Sequence, residues 1–251
     1  MNSLTYAVGR VASTSLSKFR KDRGCRSQIL MYHSIGGSAE GDLRGLYSIN
    51  AFMFLEQMRQ LQRLVEQSEL KVVPFGTEIE GALSITFDDG YRDNLTAVLP
   101  VMEQFGFPFH IFLNPTFVRS GRSDFLNEAD VKTLNAHPLV TLGVHGYSHK
   151  PLGSLSYTAM VGELTMAMSW LGQLSGKTTE SLSYPHGSLN NDVVTAARAT
   201  GFKFGACSKF GPIPKERDDY RLPRIDIWSK DHLGAFTSKL RGGWDWMKWR
   251  T

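Results

Sequence analysis

The sequence predicts an α/β fold of parallel strands enclosed by helices. Short apolar runs alternate with stretches of helical periodicity along most of the chain. No internal repeat, low-complexity tract or Pro/Gly/Ser linker divides the 251 residues. Polar residues with chemical reach follow several of the apolar runs, and barrels built this way gather their chemistry at the carboxyl ends of strands.

Each element has its own signal. Gln28 to Tyr32 (QILMY) reads as the first strand. Asn50 can cap a helix that puts Phe54, Met58, Leu61 and Val65 on one face. Ala82 to Phe87 is the next strand, followed by helical spacing from Leu95 to Phe105. Pro108 then introduces the strand FHIFL, 109–113. Asn127 to Asn135 is a short helix and Leu139 to Val144 a strand. Ser156 caps a long helix that runs to Leu174 and is closed by Gly176. A short strand at Leu182 to Tyr184 precedes a helix over Val193 to Thr200, ended by Gly201. Phe204 to Cys207 and Arg224 to Trp228 complete the strands. The dense Trp244, Trp246 and Trp249 cluster fits the packing of a final helix, with a docking lid as the alternative.

Residues 27–251 read as one domain, and residues 1–26 as an arm. Composition is ordinary for a globular chain, at 41% hydrophobic and 21% charged. A net charge of +4 without a long basic run gives no reason to expect a nucleic-acid partner. Two cysteines, Cys25 and Cys207, match no metal or redox spacing. No stretch is long and apolar enough for a transmembrane helix. In the arm, Leu4, Val8, Val11 and Phe19 fall at near-helical spacing among Arg10, Lys18, Arg20, Lys21 and Arg23. That fits a helix packed on the domain or, alternatively, one resting on a membrane surface. Arg10 interrupts the only candidate core of an export signal. The expected location is cytoplasmic, with peripheral contact at the inner membrane face left open to the arm.

The chemistry lies in three short strings and one lone histidine. His145 and His149, in GVHGYSHKPL, could chelate one cation if the backbone between them curls into a helical turn. Neutral imidazoles suit zinc and other late divalent metals. A catalytic zinc site often has three protein ligands and leaves positions open for water and substrate. The pair Asp88–Asp89, at the end of SITFDDGY, offers the third ligand. One aspartate could hold the ion while the other stays free as a base, the cation offsetting their mutual repulsion. Singly, an HxxxH is compatible with surface or core histidines and an Asp-Asp-Gly with a solvated turn. Together with a later YPxG they are much more specific.

With these strings in place, the sequence resembles the polysaccharide deacetylase family, the NodB-homology or carbohydrate esterase family 4 enzymes, over about residues 28–228. The resemblance implies a distorted (β/α)₇ barrel and hydrolysis of an acetamido group on an N-acetylated sugar. TFDDG matches the first family motif and implies Asp88 as base and Asp89 as metal ligand. HGYSH matches the second and implies His145 and His149 as the other ligands of a divalent ion, zinc by default, with cobalt or nickel fitting the same donors. SYPHG matches the third and implies Pro185 in the groove wall and the His186 N–H on the oxyanion. Three departures stand out. Ser183 occupies a position usually held by an Arg that orients the base, and Arg224, in LPRIDIW, is the candidate replacement, with Asp226 as a possible helper; the alternative for Arg224 is a structural ion pair with Asp226. Gly146 stands where Ser or Thr is usual. The late Leu-x-His motif is missing, since His232 sits in KDHLG with no strand before it. ILMYHSI is similar to the Tyr-His element of a permuted branch that includes poly-N-acetylglucosamine deacetylases, and implies His33 as general acid; alone, His33 would read as a buried strand-end histidine. Tyr91 and Trp228 are the favoured sugar-facing aromatics, ahead of Phe117, Tyr147 and Tyr184. Hydrolysis of another non-peptide amide, such as a formamido sugar, and a non-catalytic carbohydrate-binding role are the competing expectations.

Overall fold

A computed structural model describes residues 26–249. Seven parallel strands close into a barrel: β1 (Gln28–Tyr32), β5 (Ala82–Phe87), β6 (Phe109–Leu113), β7 (Val140–Val144), β8 (Ser181–Ser183), β9 (Phe204–Phe210) and β10 (Leu222–Asp226). Each strand pairs with its successor from β5 to β10, and β1 closes the ring between β10 and β5. The ring is uneven at one seam: β4 (Lys71–Val72) pairs with the start of β5, whereas β6 pairs with its end at Thr86 and Phe87. Above β1, the short parallel pair β2 (Ser34–Ile35) and β3 (Ser48–Ile49) forms the base of a long loop.

Side-chain alternation assigns the two faces of the barrel wall. Leu30 and Tyr32 on β1, and Leu83, Ile85 and Phe87 on β5, join the large outer core under the helices. Ile29, Phe112, Ala206 and Leu222 form a small separate cluster with Phe75. The same alternation puts Thr86 and Asp88, His110 and Phe112, Ser181 and Ser183, and Arg224 on one side, and these residues do meet one another across the barrel. The interior is therefore unusually polar, and these groups bond to one another.

The helices follow their caps. Asn50 accepts from the Phe52 and Met53 N–H groups to start α1 (Ala51–Glu66), which buries Phe54, Gln57, Met58, Leu61 and Leu64. Val65 is only partly buried; Leu64 takes the place predicted for it. The stretch expected as one helix from Leu95 begins as a wide turn at Asn94–Val98 and becomes regular only in α2 (Leu99–Phe105). Pro100 lies in the first turn of α2, where its missing N–H costs no hydrogen bond. Then follow α3 (Pro115–Val118), α4 (Glu128–Asn135), α5 (Tyr157–Ser175), α6 (Asn191–Thr200) and α7 (Leu233–Leu240). Asn127 and Asp130 form a reciprocal capping box on α4.

The sequence reading needs correction at three places. The last strand starts at Leu222 rather than Arg224 and ends at Asp226 rather than Trp228, because Pro223 is accommodated where the register with β9 shifts. β9 runs on to Phe210. His232, which carried no assignment, is the N-cap of α7, its Nδ1 accepting from Gly234 and Ala235. Trp244 is fully buried and Trp246 stacks on it, whereas the Trp249 side chain and the arm before residue 26 lie outside the described residues. Cys207 is a buried free thiol. Among the described residues no helix is long and apolar enough to cross a membrane.

His110 shows what burial does inside this barrel. Its ring lies between Thr141 Oγ1 at 2.7 Å and Ser181 Oγ at 2.9 Å. Burial pushes its pKa down to about 3. A histidine held neutral in the fold contributes stability that is fully present above its unfolded pKa, near 6.5, and is lost as pH falls toward the folded value. Chemical denaturation of wild type should therefore show a loss of about 2 kcal/mol between pH 7 and pH 5 that His110→Gln does not share.

Candidate metal centre and active site

Where β5 ends, the chain turns sharply. Asp88 N–H still donates to the Tyr32 carbonyl at 3.0 Å, continuing the pairing with β1. Asp89 and Gly90 then both take left-handed φ values, 75° and 78°. A Cβ on Gly90 would lie 2.8 Å from Leu113 Cδ2, so this position admits no side chain without displacement. The turn splits the two carboxylates: Asp88 is aimed across the barrel and Asp89 toward the β7 loop.

Asp88 is clamped. Arg224 donates to both its oxygens, at 2.8 Å each, and Ser183 Oγ donates at 3.1 Å. Arg224 also reaches Ser183 Oγ, Thr86 Oγ1 and the Cys207 carbonyl. Burial by itself would raise the Asp88 pKa, but the guanidinium more than offsets this and holds the carboxyl far below the usual range. Asp226 receives no hydrogen bond from Arg224 among those described; burial lifts its own pKa to about 6, and as a like charge it does not help to hold Asp88. The Asp226 charge favours the Arg224 guanidinium but gives Asp88 itself no hold.

Asp89 faces the two histidines. Its Oδ1 lies 3.2 Å from His149 Nε2 and 3.5 Å from His145 Nε2, and all three donor atoms fall within 4.8 Å of one another. Donors about 2.1 Å from a tetrahedral zinc are separated by roughly 3.4 Å. Among the described residues the buried Oδ1 has no hydrogen-bond partner, a costly arrangement unless a cation completes it. His145 Nδ1 donates to the Ser183 carbonyl at 2.9 Å, which fixes the tautomer and turns the Nε2 lone pair toward Asp89. Burial lowers the His145 pKa to about 4, so the ring is neutral, as ligation requires. The three side chains therefore fit a divalent ion.

The path between the histidines is a loop, not the helical turn expected from their spacing. Gly146 has φ 62° and His149 has φ 59°. Glu163 on α5 accepts from the N–H groups of Tyr147 and Ser148 and from Ser148 Oγ, while Asn114 Nδ2 donates to the His145 carbonyl. A Cβ on Gly146 would lie 2.9 Å from Pro185 Cγ. That contact and the left-handed φ explain why glycine stands here.

The ligand group opens into a cleft of about 590 Å³. His33, Asp88 and His186 line it with Asp89, His145 and His149, and residues 39–47 supply much of one wall. The His33 ring packs on Tyr47 with centroids 4.5 Å apart. His186 has φ 56°, and its Nε2 sits 3.0 Å from the His149 carbonyl oxygen. Pro185 is buried beneath Gly146.

Two predicted sugar-facing aromatics are not in the groove. Tyr91 is 1% exposed and stacks on Phe125. Trp228 is 6% exposed and lies edge-on to Trp244, with the Lys239 amine over its ring. Both are core residues, Tyr91 covered by the Phe125 ring and Trp228 by the Lys239 amine and the Trp244 ring beside it. Phe117 is also engaged elsewhere, stacked on Phe125 and set against His149, whereas Tyr184 does line the cleft, its hydroxyl donating to the Tyr220 carbonyl. Residues the sequence reading missed are Tyr47, Asn114, Glu163 and the 39–47 wall. The available signal was four glycines, at 36, 37, 41 and 45, between two Ser-Ile pairs.

A family model described as polysaccharide deacetylase matches residues 76–205. Bacillus subtilis YxkH, provisionally named a polysaccharide deacetylase, is 26% identical over 227 residues, which cover 88% of this chain and 80% of that protein. The poly-beta-1,6-N-acetyl-D-glucosamine N-deacetylase of Staphylococcus epidermidis is 25% identical over 154 residues, or 56% of this chain and 53% of that protein. Among solved structures, the Streptococcus pyogenes deacetylase PplD in complex with acetate superposes with a TM-score of 0.75 over 86% of this chain and 99% of that chain, at 17% identity. The last is a likeness of fold.

Restoring a hydroxyl at position 146 should harm the protein. Gly146→Ser is expected to cost about 1–2 kcal/mol from the left-handed backbone alone, with the Pro185 contact adding to it. Denaturant titration of the variant beside wild type measures the difference.

Proposed function

The chain belongs to the polysaccharide deacetylase family, and on that footing we propose that it is a metal-dependent hydrolase that removes N-acetyl groups from an N-acetylated sugar. The observation that carries this reading is the division of the acidic pair: Asp89 converges with His145 and His149, while Asp88 is held apart by Arg224. A divalent ion held by Asp89, His145 and His149, zinc by default, would supply a Lewis acid that polarises the amide carbonyl and acidifies water.

Asp88 accepts the proton of the attacking water. Arg224 keeps it ionised and oriented, so it enters the reaction as an acceptor at any working pH. The strong depression of its pKa also makes it a weak base by itself, which matches a reaction in which the water is already acidified. The His186 N–H steadies the oxyanion, a contact of a kind whose removal typically costs ~3 kcal/mol. His33 donates a proton to the departing nitrogen, because an amine is too basic to leave as an anion. Its Nδ1 is buried without a hydrogen-bond partner among the described residues. Asp226 lies within electrostatic reach of His33.

The substrate we infer is an N-acetylglucosamine-containing glycan in polysaccharide or glycoconjugate biosynthesis, in line with the activity named for the Staphylococcus epidermidis relative. Residues 27–251 act as the catalytic unit, with 1–26 as an appended arm.

Acetate release from N-acetylated glucosamine oligomers by zinc-loaded protein tests the reading, and formate release from formylated analogues tests the nearest competing chemistry. Asp88→Asn should keep its zinc, melt at lower temperature because Arg224 loses its charged partner, and lose about 10²–10⁴-fold in kcat. His33→Gln should keep zinc with a loss of the same size. His145→Ala should lose both metal and turnover. Normal turnover by Asp88→Asn would remove the assigned base.

A further inference from the structure

Tyr91 stands where no groove-lining residue can stand, yet it touches both the ligand group and the cleft wall. Its hydroxyl lies 3.2 Å from Asp89 Oδ2 and donates to it. The same oxygen accepts a short hydrogen bond from the Glu40 backbone N–H. The Glu40 carboxylate is paired with Arg122 at 2.7 Å, and Arg122 with Asp124 at 2.6 Å, next to the Phe125 ring on which Tyr91 stacks.

The two oxygens of Asp89 are thereby distinguished. Oδ2 is occupied by Tyr91, and Oδ1 alone faces the histidines. Beyond Glu40, the segment reaches the exposed tip at Leu43. It returns through Leu46, whose carbonyl accepts from Ser229 N–H at 2.7 Å, and Tyr47, whose N–H donates to Asp42 at 2.6 Å. The wall is pinned at its return by Ser229 and at its start through Glu40 to Tyr91.

We propose that Tyr91 is a positioning residue that ties Asp89 to the wall formed by residues 39–47, so that grip on the ion and seating of the wall are coupled through one hydroxyl. The inference rests on the reading that Asp89, His145 and His149 hold a divalent ion. A hydroxyl that fixes one carboxylate oxygen aims the other, and loss of such a partner typically weakens metal binding 10–100-fold. By reciprocity, an ion that fixes Asp89 also fixes the hydroxyl and the Glu40 N–H it accepts.

Tyr91→Phe isolates the effect, since the ring and its stacking on Phe125 remain. Zinc affinity measured by chelator competition should fall about tenfold. In wild type, added zinc should slow amide exchange across residues 39–47, and in Tyr91→Phe this slowing should vanish. If circular dichroism shows that Tyr91→Phe does not fold, Glu40→Pro read beside Glu40→Gln takes its place: both lose the Arg122 ion pair, the proline alone deletes the accepted N–H, and zinc should fail to protect the wall in the proline variant only. Equal zinc affinity and equal zinc-dependent protection in wild type and variant would overturn this inference alone. Wild-type protein that takes up no zinc would overturn the metal assignment and this inference with it.

Discussion

Arg224 and Asp88 meet inside the barrel, nearly sealed from solvent, through two parallel hydrogen bonds of 2.8 Å. Removing two charges from water is expensive, and a buried pair holds only when geometry is good and the remaining hydrogen-bonding capacity is met. Here it is met. The guanidinium reaches Ser183 on β8, the Cys207 carbonyl on β9 and Thr86 on β5, so one side chain from β10 bonds to three other strands. Had Ser183 been a second arginine, two cations would compete for one carboxylate. The small hydroxyl instead bridges both partners of the pair, and the departure at 183 and the presence of Arg224 are two sides of one arrangement.

That pair determines what the rest of the site can be. Because Asp88 is committed to Arg224, the ligand group must be completed by Asp89 alone, and the sharp turn at Asp89 and Gly90 makes this sterically available. The site is held in conformations that chains normally avoid. Of the four non-glycine residues with positive φ among the described residues, three are Asp89, His149 and His186. Each such residue costs on the order of 1–2 kcal/mol. The surroundings compensate: Glu163 and Asn114 hold the β7 loop, Leu126 N–H donates to the Gly90 carbonyl at 3.0 Å, and the His186 ring bonds the His149 carbonyl. Strain concentrated at the cleft and supported from outside it is the pattern of a pre-organised site.

Much of this was legible in the chain. The barrel strands announce themselves as apolar runs because their outer faces are covered by helices, and helix ends follow Asn50, Asn127, Ser156 and the closing glycines. The motif strings located Asp88, Asp89, His145, His149 and His186 in one cleft. Other features could not be read locally. Nothing near Arg224 in sequence says that its partner is 136 residues away rather than Asp226, two residues on. Tyr91 and Trp228 looked suited to sugar, because sequence gives an aromatic residue without saying which of its faces are covered. The 36–47 segment has no periodicity; the β2–β3 base, the Ser229 N–H on the Leu46 carbonyl and the Tyr91 hydroxyl place it over the cleft. His145 and His149 carry helical spacing but lie on a loop, because Gly146 supplies a left-handed turn that a helix would not contain.

The division of labour between two neighbouring aspartates is the core of the account, and the coordination shell tests it most directly. X-ray absorption at the zinc edge of the stoichiometric complex should show two imidazole nitrogens and a carboxylate oxygen at about 2.0–2.2 Å, with the same shell in a variant that lacks the Asp88 carboxylate. A shell without histidine, or one that loses its carboxylate oxygen when Asp88 is replaced, would contradict it.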